Sequence, residues 1–194
     1  MQEVSKVVAI GPESTGKSTL CKTLAAHYDA TCCPEYAREY LLRNGSEYSF
    51  DDLLSIAKGQ LKLEIEYTRR AIENWQLTGK KTPKPLLFVD TDMYVMKVWC
   101  EYVFGRCHQF ILDQTAKSSC DLYLLCKTDL PWVKDELREY PDLQARTELY
   151  HIYKDILVNQ QVPWIEVSGN NEQRTLTAIA AVNNLIASAG RPGS

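Results

Sequence analysis

The sequence predicts an α/β fold, a parallel sheet of about five strands with helices on both faces. Three observations carry that expectation. Short, continuous apolar runs recur along the chain, as strands covered on both sides do. Between them lie stretches whose apolar residues fall at helical spacing, so strand and helix alternate. The first run, Val7-Val8-Ala9-Ile10, leads directly into Gly11-Pro12-Glu13-Ser14-Thr15-Gly16-Lys17-Ser18. This is G-x-x-x-x-G-K-S between a buried strand and an amphipathic helix, the setting a phosphate-binding loop requires.

The elements follow in order. Leu20, Leu24, Ala25 and Tyr28 mark the first helix. Thr31-Cys32-Cys33 reads as a short strand ending at Pro34, and Glu35-Tyr36-Ala37-Arg38-Glu39 opens a helix. Ser49-Phe50-Asp51-Asp52 resembles a capping box ahead of a long helix through Leu53, Leu54, Ala57, Leu61, Ile65 and Ile72. Gly59 interrupts that helix at a cost of about 1 kcal/mol against alanine, so Gly59-Gln60 predicts a close approach by another group. Leu86 to Asp90 is the next strand, ending in Asp90-Thr91-Asp92, and a helix follows with Met93, Val95, Met96, Trp99, Cys100 and Val103. Leu122 to Cys126 is the fourth strand. The segment from Asp129 through Pro141 is polar and turn-rich, and 129–147 is expected to close as a lid. Tyr150, Ile152, Tyr153 and Leu157 indicate a helix, Trp164 to Val167 the last strand, and a final helix runs through Val182 and Ile186. The expected organisation is one domain over 1–188 with a disordered tail at 189–194.

Composition narrows the function. The chain has 194 residues, 45% hydrophobic and 24% charged, values of a globular domain. A net charge of −3 without a basic stripe gives no footprint for nucleic acid. No apolar run approaches membrane-spanning length, and Met1-Gln2-Glu3-Val4-Ser5-Lys6 lacks the start of a secretory leader. The expectation is a cytoplasmic protein with a small-molecule partner and neither nucleic acid nor membrane. The seven cysteines are odd in number and hold no C-x-x-C, so they read as small hydrophobes in a reducing compartment. Cys100, Cys107 and His108 lack the paired spacing of a zinc site.

The loop chemistry points to a nucleoside triphosphate. Gly11 and Gly16 let backbone N–H groups curl around phosphate oxygens, and the following helix adds its positive end. Lys17 is placed to reach the β- and γ-phosphates and Ser18 to ligate Mg²⁺. Three classes compete. A GTPase switch is disfavoured because Cys126 precedes Lys127-Thr128-Asp129 where asparagine is expected, and Met93 stands where its Asp-x-x-Gly needs glycine. A mechanical ATPase is disfavoured because Thr91, not an acid, follows Asp90. A small-molecule kinase needs a base, cations around the transferred group and a cover against water. Glu35, Arg38, Asp90 and Asp92 at strand ends, with Arg138 and Arg146 in the lid segment, supply these. Trp99, Trp132, Tyr36 and Tyr94 read as packing.

The ordered set GPESTGKST, PEYAREY, FVDTD, DLPWVKDELR with a later Arg146, and SGNNEQR resembles the AAA_28-type P-loop domain, which forms the ribosylnicotinamide kinase half of the bifunctional NAD-biosynthesis regulators. The likeness runs from about Lys6 to Ala187. It implies a P-loop NTPase fold like that of nucleoside and nucleotide kinases, with the 129–147 lid helical. It further implies ATP- and Mg²⁺-dependent phosphorylation of the ribose 5′-hydroxyl of nicotinamide riboside, giving nicotinamide mononucleotide. By position, Gly11, Glu13, Ser14, Thr15, Gly16, Lys17, Ser18 and Thr19 match the phosphate loop, and Gly169, Asn170 and Arg174 would sit by the adenine. Glu35, Tyr36 and Arg38 match the motif near the riboside, with Gln60 a further acceptor-side candidate. Asp90 falls to the Mg²⁺ shell and Asp92 to the sugar hydroxyls, the base remaining open between Glu35 and Asp92. Arg138 and Arg146 would neutralise the transferring group. Pro34 stands where the bifunctional proteins carry an aromatic residue, Glu136 where they carry the lid glycine, and their adenylyltransferase domain has no counterpart in this sequence.

Overall fold

Five parallel strands stand in the order β2-β3-β1-β4-β5 in the computed structural model, which describes residues 3–137 and 139–189. The strands are β1 (Ser5–Ile10), β2 (Thr31–Cys33), β3 (Leu86–Asp90), β4 (Leu122–Cys126) and β5 (Trp164–Val167). The helices are α1 (Lys17–Tyr28), α2 (Tyr36–Asn44), α3 (Phe50–Leu77), α4 (Met93–Phe104), α5 (Gln109–Lys117), α6 (Leu143–Val158) and α7 (Asn171–Ala189). Arg138 and residues 190–194, part of the expected tail, lie outside the described residues; Ala189 itself still belongs to α7.

Alternation along the strands divides the core in two. Val7, Ala9, Phe88 and Leu124 point to the face covered by α1 and α7, where Leu20, Leu24, Ala178 and Val182 meet them. Val8, Ile10, Val89 and Leu125 point to the other face, under Val95, Val98, Leu149 and Tyr153 of α4 and α6. Both faces are therefore dry, which is why β1, β3 and β4 are buried along nearly their whole lengths. A third apolar cluster joins α2, α3, α4 and α5 through Leu41, Ile56, Met96 and Ile111 beyond the sheet.

Topology fixes where a ligand can go. From β1 the chain moves one way, to β2, while from β3 it crosses back over β1 to reach β4. The crevice outside the carboxyl ends of the strands opens where such connections diverge. The phosphate loop follows β1, Glu35 follows β2, and Asp90 ends β3 in register with Ala9.

Two expectations change. Helix α5 falls in a stretch for which no element is expected from the sequence. The segment expected as a helical lid holds no helix among the described residues from 127 to 142; its helical part is only the beginning of α6 at Leu143. The capping box at Ser49 and Asp52 is present, with the Ser49 hydroxyl accepting from the Asp52 N–H and the Asp52 carboxylate accepting from the Ser49 N–H. All seven cysteines are free thiols.

Candidate active site

The phosphate loop is shaped by contacts beneath it. Gly11 has φ 139°, and a Cβ there would lie 2.7 Å from the Cys126 carbonyl oxygen, so only glycine lets the loop lie this close to β4. Thr15 is buried and donates to the Pro12 carbonyl at 2.7 Å. Lys17 folds back over the loop, donating to the Gly11 and Pro12 carbonyls at 2.8 and 2.7 Å. Helix α1 starts at Lys17 with no side-chain cap on its N-terminus, so its first N–H groups face the same opening.

A cavity of about 260 Å³ begins at this loop and extends away from it. Gly11 to Thr19, Lys17 and Ser18 included, line one end. Glu35 and Arg38 stand in the middle, and Val95, Val98, Trp99 and Tyr102 of α4 with Leu149 and Tyr153 of α6 form an apolar far wall. Glu35 is the N-cap residue of α2, yet its carboxyl makes no capping hydrogen bond. Burial, then the charge of Asp90, push that carboxyl up to about 7, against the opposing pull of Lys17 and Arg38. Arg38 pairs with Asp135 at 3.0 Å, which holds its guanidinium further into the charged range.

The two acids of Asp90-Thr91-Asp92 have different surroundings. Thr91 between them has φ 80°, rare for a β-branched residue, and its buried hydroxyl meets no partner among the described residues. Asp90 is 2% exposed, and its Oδ1 also lacks a hydrogen-bond partner among them. A buried carboxylate oxygen left open beside a phosphate loop, with Ser18 lining the cavity, suits one Mg²⁺ whose other ligands come from phosphate and water. Asp92, expected at the sugar hydroxyls, is instead occupied with folding. Its Oδ1 caps α4, accepting from Tyr94 N and Val95 N at 3.0 and 3.3 Å, and its Oδ2 accepts from the Tyr123 hydroxyl at 2.9 Å. Burial pushes its carboxyl up to about 6 even so, and it does not line the cavity.

Other expected residues act one layer out. Gln60 lies under the turn before α2, accepting from Tyr36 N at 2.7 Å and donating to the Pro34 carbonyl at 3.4 Å. Tyr36 lies on Gly59, where a Cβ would fall 2.0 Å from its ring; this is the close approach the glycine foretold. Neither residue lines the cavity; both hold the turn that carries Glu35. Arg174, expected at the adenine, is buried beneath the phosphate loop. It donates to the Thr15 carbonyl at 2.9 Å, the Gly169 carbonyl at 2.8 Å and the Lys127 carbonyl at 3.1 Å, and it pairs with Asp129. Gly169 N donates to the same Asp129 at 2.5 Å, and Asn170 caps α7 by accepting from Gln173 N at 2.9 Å. Arg174 thus braces the loop from behind, Gly169 holds Arg174 and Asp129, and none of the three residues lines the cavity. Arg146 is 4% exposed, and its Nε and Nη1 meet no partner among the described residues. It shares a helix face with Leu149 and Tyr153, which line the cavity. Arg138 lies outside the described residues.

Sequence reasoning assigned Trp99 to packing and left out Val95, Val98, Tyr102, Leu149 and Tyr153 as lining. Their spacing on α4 and α6 is that of a core stripe, and such a stripe reads alike whether protein or ligand covers it. The signal that was available is position, since the α4 stripe begins directly after a strand-end acid.

The AAA_28 family model, described as an AAA domain, matches residues 6–174. The chain belongs to the AAA_28 family. Among AAA_28-related proteins, the trifunctional NAD biosynthesis/regulator protein NadR of Escherichia coli (strain K12) is 27% identical over 188 residues, 94% of this chain and 43% of the relative. Its Salmonella typhimurium counterpart is 27% identical over 192 residues, 96% and 44% of the two chains. The chain thus spans less than half the length of these curated relatives. Among solved structures, NadR in complex with NR superposes with TM-score 0.64 at 21% identity, over 95% of this chain and 52% of that one. Thymidylate kinase from Ehrlichia chaffeensis superposes with TM-score 0.59 at 13% identity, over 92% and 98%. The fold is that of the P-loop kinases, and among the described residues no helix is long and apolar enough to cross a membrane.

Proposed function

We propose that this AAA_28 chain is an ATP-dependent kinase that phosphorylates the ribose 5′-hydroxyl of nicotinamide riboside, giving nicotinamide mononucleotide. One observation carries the reading: a single cavity joins the phosphate loop, a carboxyl raised to about 7 and an apolar aromatic wall. A triphosphate tail fits the first, an attacking hydroxyl the second and a flat heterocycle the third. The matches to NadR, one solved with NR and another with NAD and AMP-PNP, support the same donor and acceptor.

The residues divide the work. Phosphate-loop N–H groups and the start of α1 hold the triphosphate, while Lys17 swings from its two carbonyls to the β- and γ-oxygens. Glu35 takes the proton of the acceptor hydroxyl as its oxygen bonds to the γ-phosphorus and the bond to the β-bridging oxygen breaks, releasing ADP. With a pKa near 7, Glu35 is about half ionised at neutral pH, and its ionised form is basic enough to accept a proton. Arg38 and Arg146 face the charge that builds up there. Arg146, which does not line the cavity and whose Nε and Nη1 meet no partner among the described residues, would gain an anion from behind Leu149 and Tyr153, and Arg138 is proposed to join it. Ser18 and Asp90 would hold Mg²⁺, which when bound draws charge from the phosphate oxygens.

Pro34 favours a second reading of the acceptor. It is exposed and does not line the cavity, so stacking falls to Trp99 and the riboside class widens to other nucleosides or nucleotides. A panel of ribosides and nucleotides, each incubated with ATP, Mg²⁺ and purified protein, separates the readings. Nicotinamide mononucleotide as the preferred product supports the proposal. Faster turnover of another acceptor moves the substrate, and ADP release from none of them rejects the kinase.

A further inference from the structure

We infer that Glu13 is a positioning residue that fastens the 132–140 segment onto the phosphate loop, so that the nucleotide end of the cavity governs closure of its acceptor end. A carboxylate inside a phosphate loop is a liability beside a triphosphate, since like charges repel there. Here it is turned to another use. Its Oε1 accepts from the Trp132 indole N–H at 3.3 Å and from Tyr140 N at 2.7 Å, and its Oε2 accepts from Glu139 N at 3.0 Å. The next residue joins in, the Ser14 hydroxyl accepting from Val133 N at 3.1 Å. Ser14 has φ 55°, an uncommon conformation for a residue other than glycine.

Two consecutive loop residues thus grip both ends of a segment whose described residues, 132–137 and 139–140, belong to no helix or strand. Hydrogen bonds to an ionised acceptor are about twice as strong as neutral ones, so Glu13 is the stronger grip. The gripped segment is also a cavity wall, because Leu137, Glu139 and Tyr140 line the cavity together with Glu35. Secondary ties lie farther out, in the Arg38–Asp135 pair and the Tyr48 hydroxyl donating to Glu139 at 2.9 Å. When the segment lifts, the Glu13 charge loses its donors and stands bare at the phosphate loop; when it docks, the charge is drawn aside and the acceptor is enclosed. Docking and triphosphate binding therefore reinforce each other. The catalytic consequence rests on the kinase reading; the fastening itself does not.

The test uses the full chain with and without AMP-PNP. Trypsin cleavage after the exposed Lys134, followed by mass, reports how often the segment is open. Glu13→Ala should speed cleavage about tenfold and Glu13→Gln by less, because its amide oxygen still accepts but carries no charge. AMP-PNP should slow cleavage in the wild type more than in Glu13→Ala. Trp132→Phe, which removes one donor from the other side, should speed cleavage alone yet add little in the Glu13→Ala background. Cleavage unchanged in Glu13→Ala and in Trp132→Phe would overturn the inference whatever the activity. If Glu13→Ala does not fold, Glu13→Gln paired with Trp132→Phe gives the same non-additivity or refutes it. In the catalytic arm, Glu13→Ala should raise ATP hydrolysis without acceptor relative to transfer. No kinase activity in the wild type, beside the predicted proteolysis, would reject the kinase and keep the fastening.

Discussion

The two ends of the cavity are built by different means. The phosphate end is made of backbone, fixed by Gly11 against Cys126 and by Arg174 beneath Thr15. The end proposed to take the acceptor is made of side chains from α4, α6 and residues Leu137, Glu139 and Tyr140, far apart in sequence. Backbone sites demand particular residues at fixed offsets, whereas side-chain walls demand only volume and polarity. The first kind of site leaves a motif; the second leaves a stripe indistinguishable from core.

Substitutions sharpen this contrast. The largest effect belongs to Lys17→Ala, which should cut turnover about a thousandfold and weaken ATP binding in calorimetry, since its ammonium is the cation proposed to meet both the β- and γ-oxygens. Glu35→Gln should lower kcat roughly a hundredfold while leaving ATP binding intact. In the wild type, kcat/KM should rise with pH to a plateau with a midpoint near 7, and that limb should vanish in the variant. The sign for stability is opposite. A carboxyl whose folded pKa is raised disfavours folding as pH climbs from its ordinary range past about 7, so Glu35→Gln should melt higher than wild type at pH 8. An unchanged pH limb would remove Glu35 from the base role.

Smaller effects test the supports behind each end. Arg174→Ala strips three carbonyls and Asp129 of a buried partner and should destabilise the protein by about 3 kcal/mol in urea unfolding. Gly59→Ala forces the Tyr36 ring away from α3 and should cost about 1–3 kcal/mol. Because the turn carrying Glu35 hangs on that contact, Gly59→Ala should also lower kcat, with the ATP KM unchanged.

The strands were nearly all legible: β2 to β5 match the expected spans, and β1 begins only two residues earlier, because dry strands must be continuous apolar runs. Helix α5 was not legible, since it buries only Ile111 fully and its other faces are polar or half-covered. Among site residues, the phosphate loop and Glu35 were placed by motif. Asp92 was expected at the sugar hydroxyls, but its Oδ1 caps α4 and its Oδ2 accepts from the Tyr123 hydroxyl. Arg174 was expected at the adenine from the family resemblance alone; only the fold reveals that the Thr15, Lys127 and Gly169 carbonyls are its partners.

The central claim is that one cavity presents an acceptor hydroxyl to Glu35 at the end of a triphosphate. A crystal structure of the protein soaked with nicotinamide riboside and AMP-PNP measures it directly. The account predicts the riboside 5′-oxygen within hydrogen-bond reach of the Glu35 carboxyl, with its ring against Trp99. A riboside bound elsewhere, with Glu35 facing only water, would contradict it.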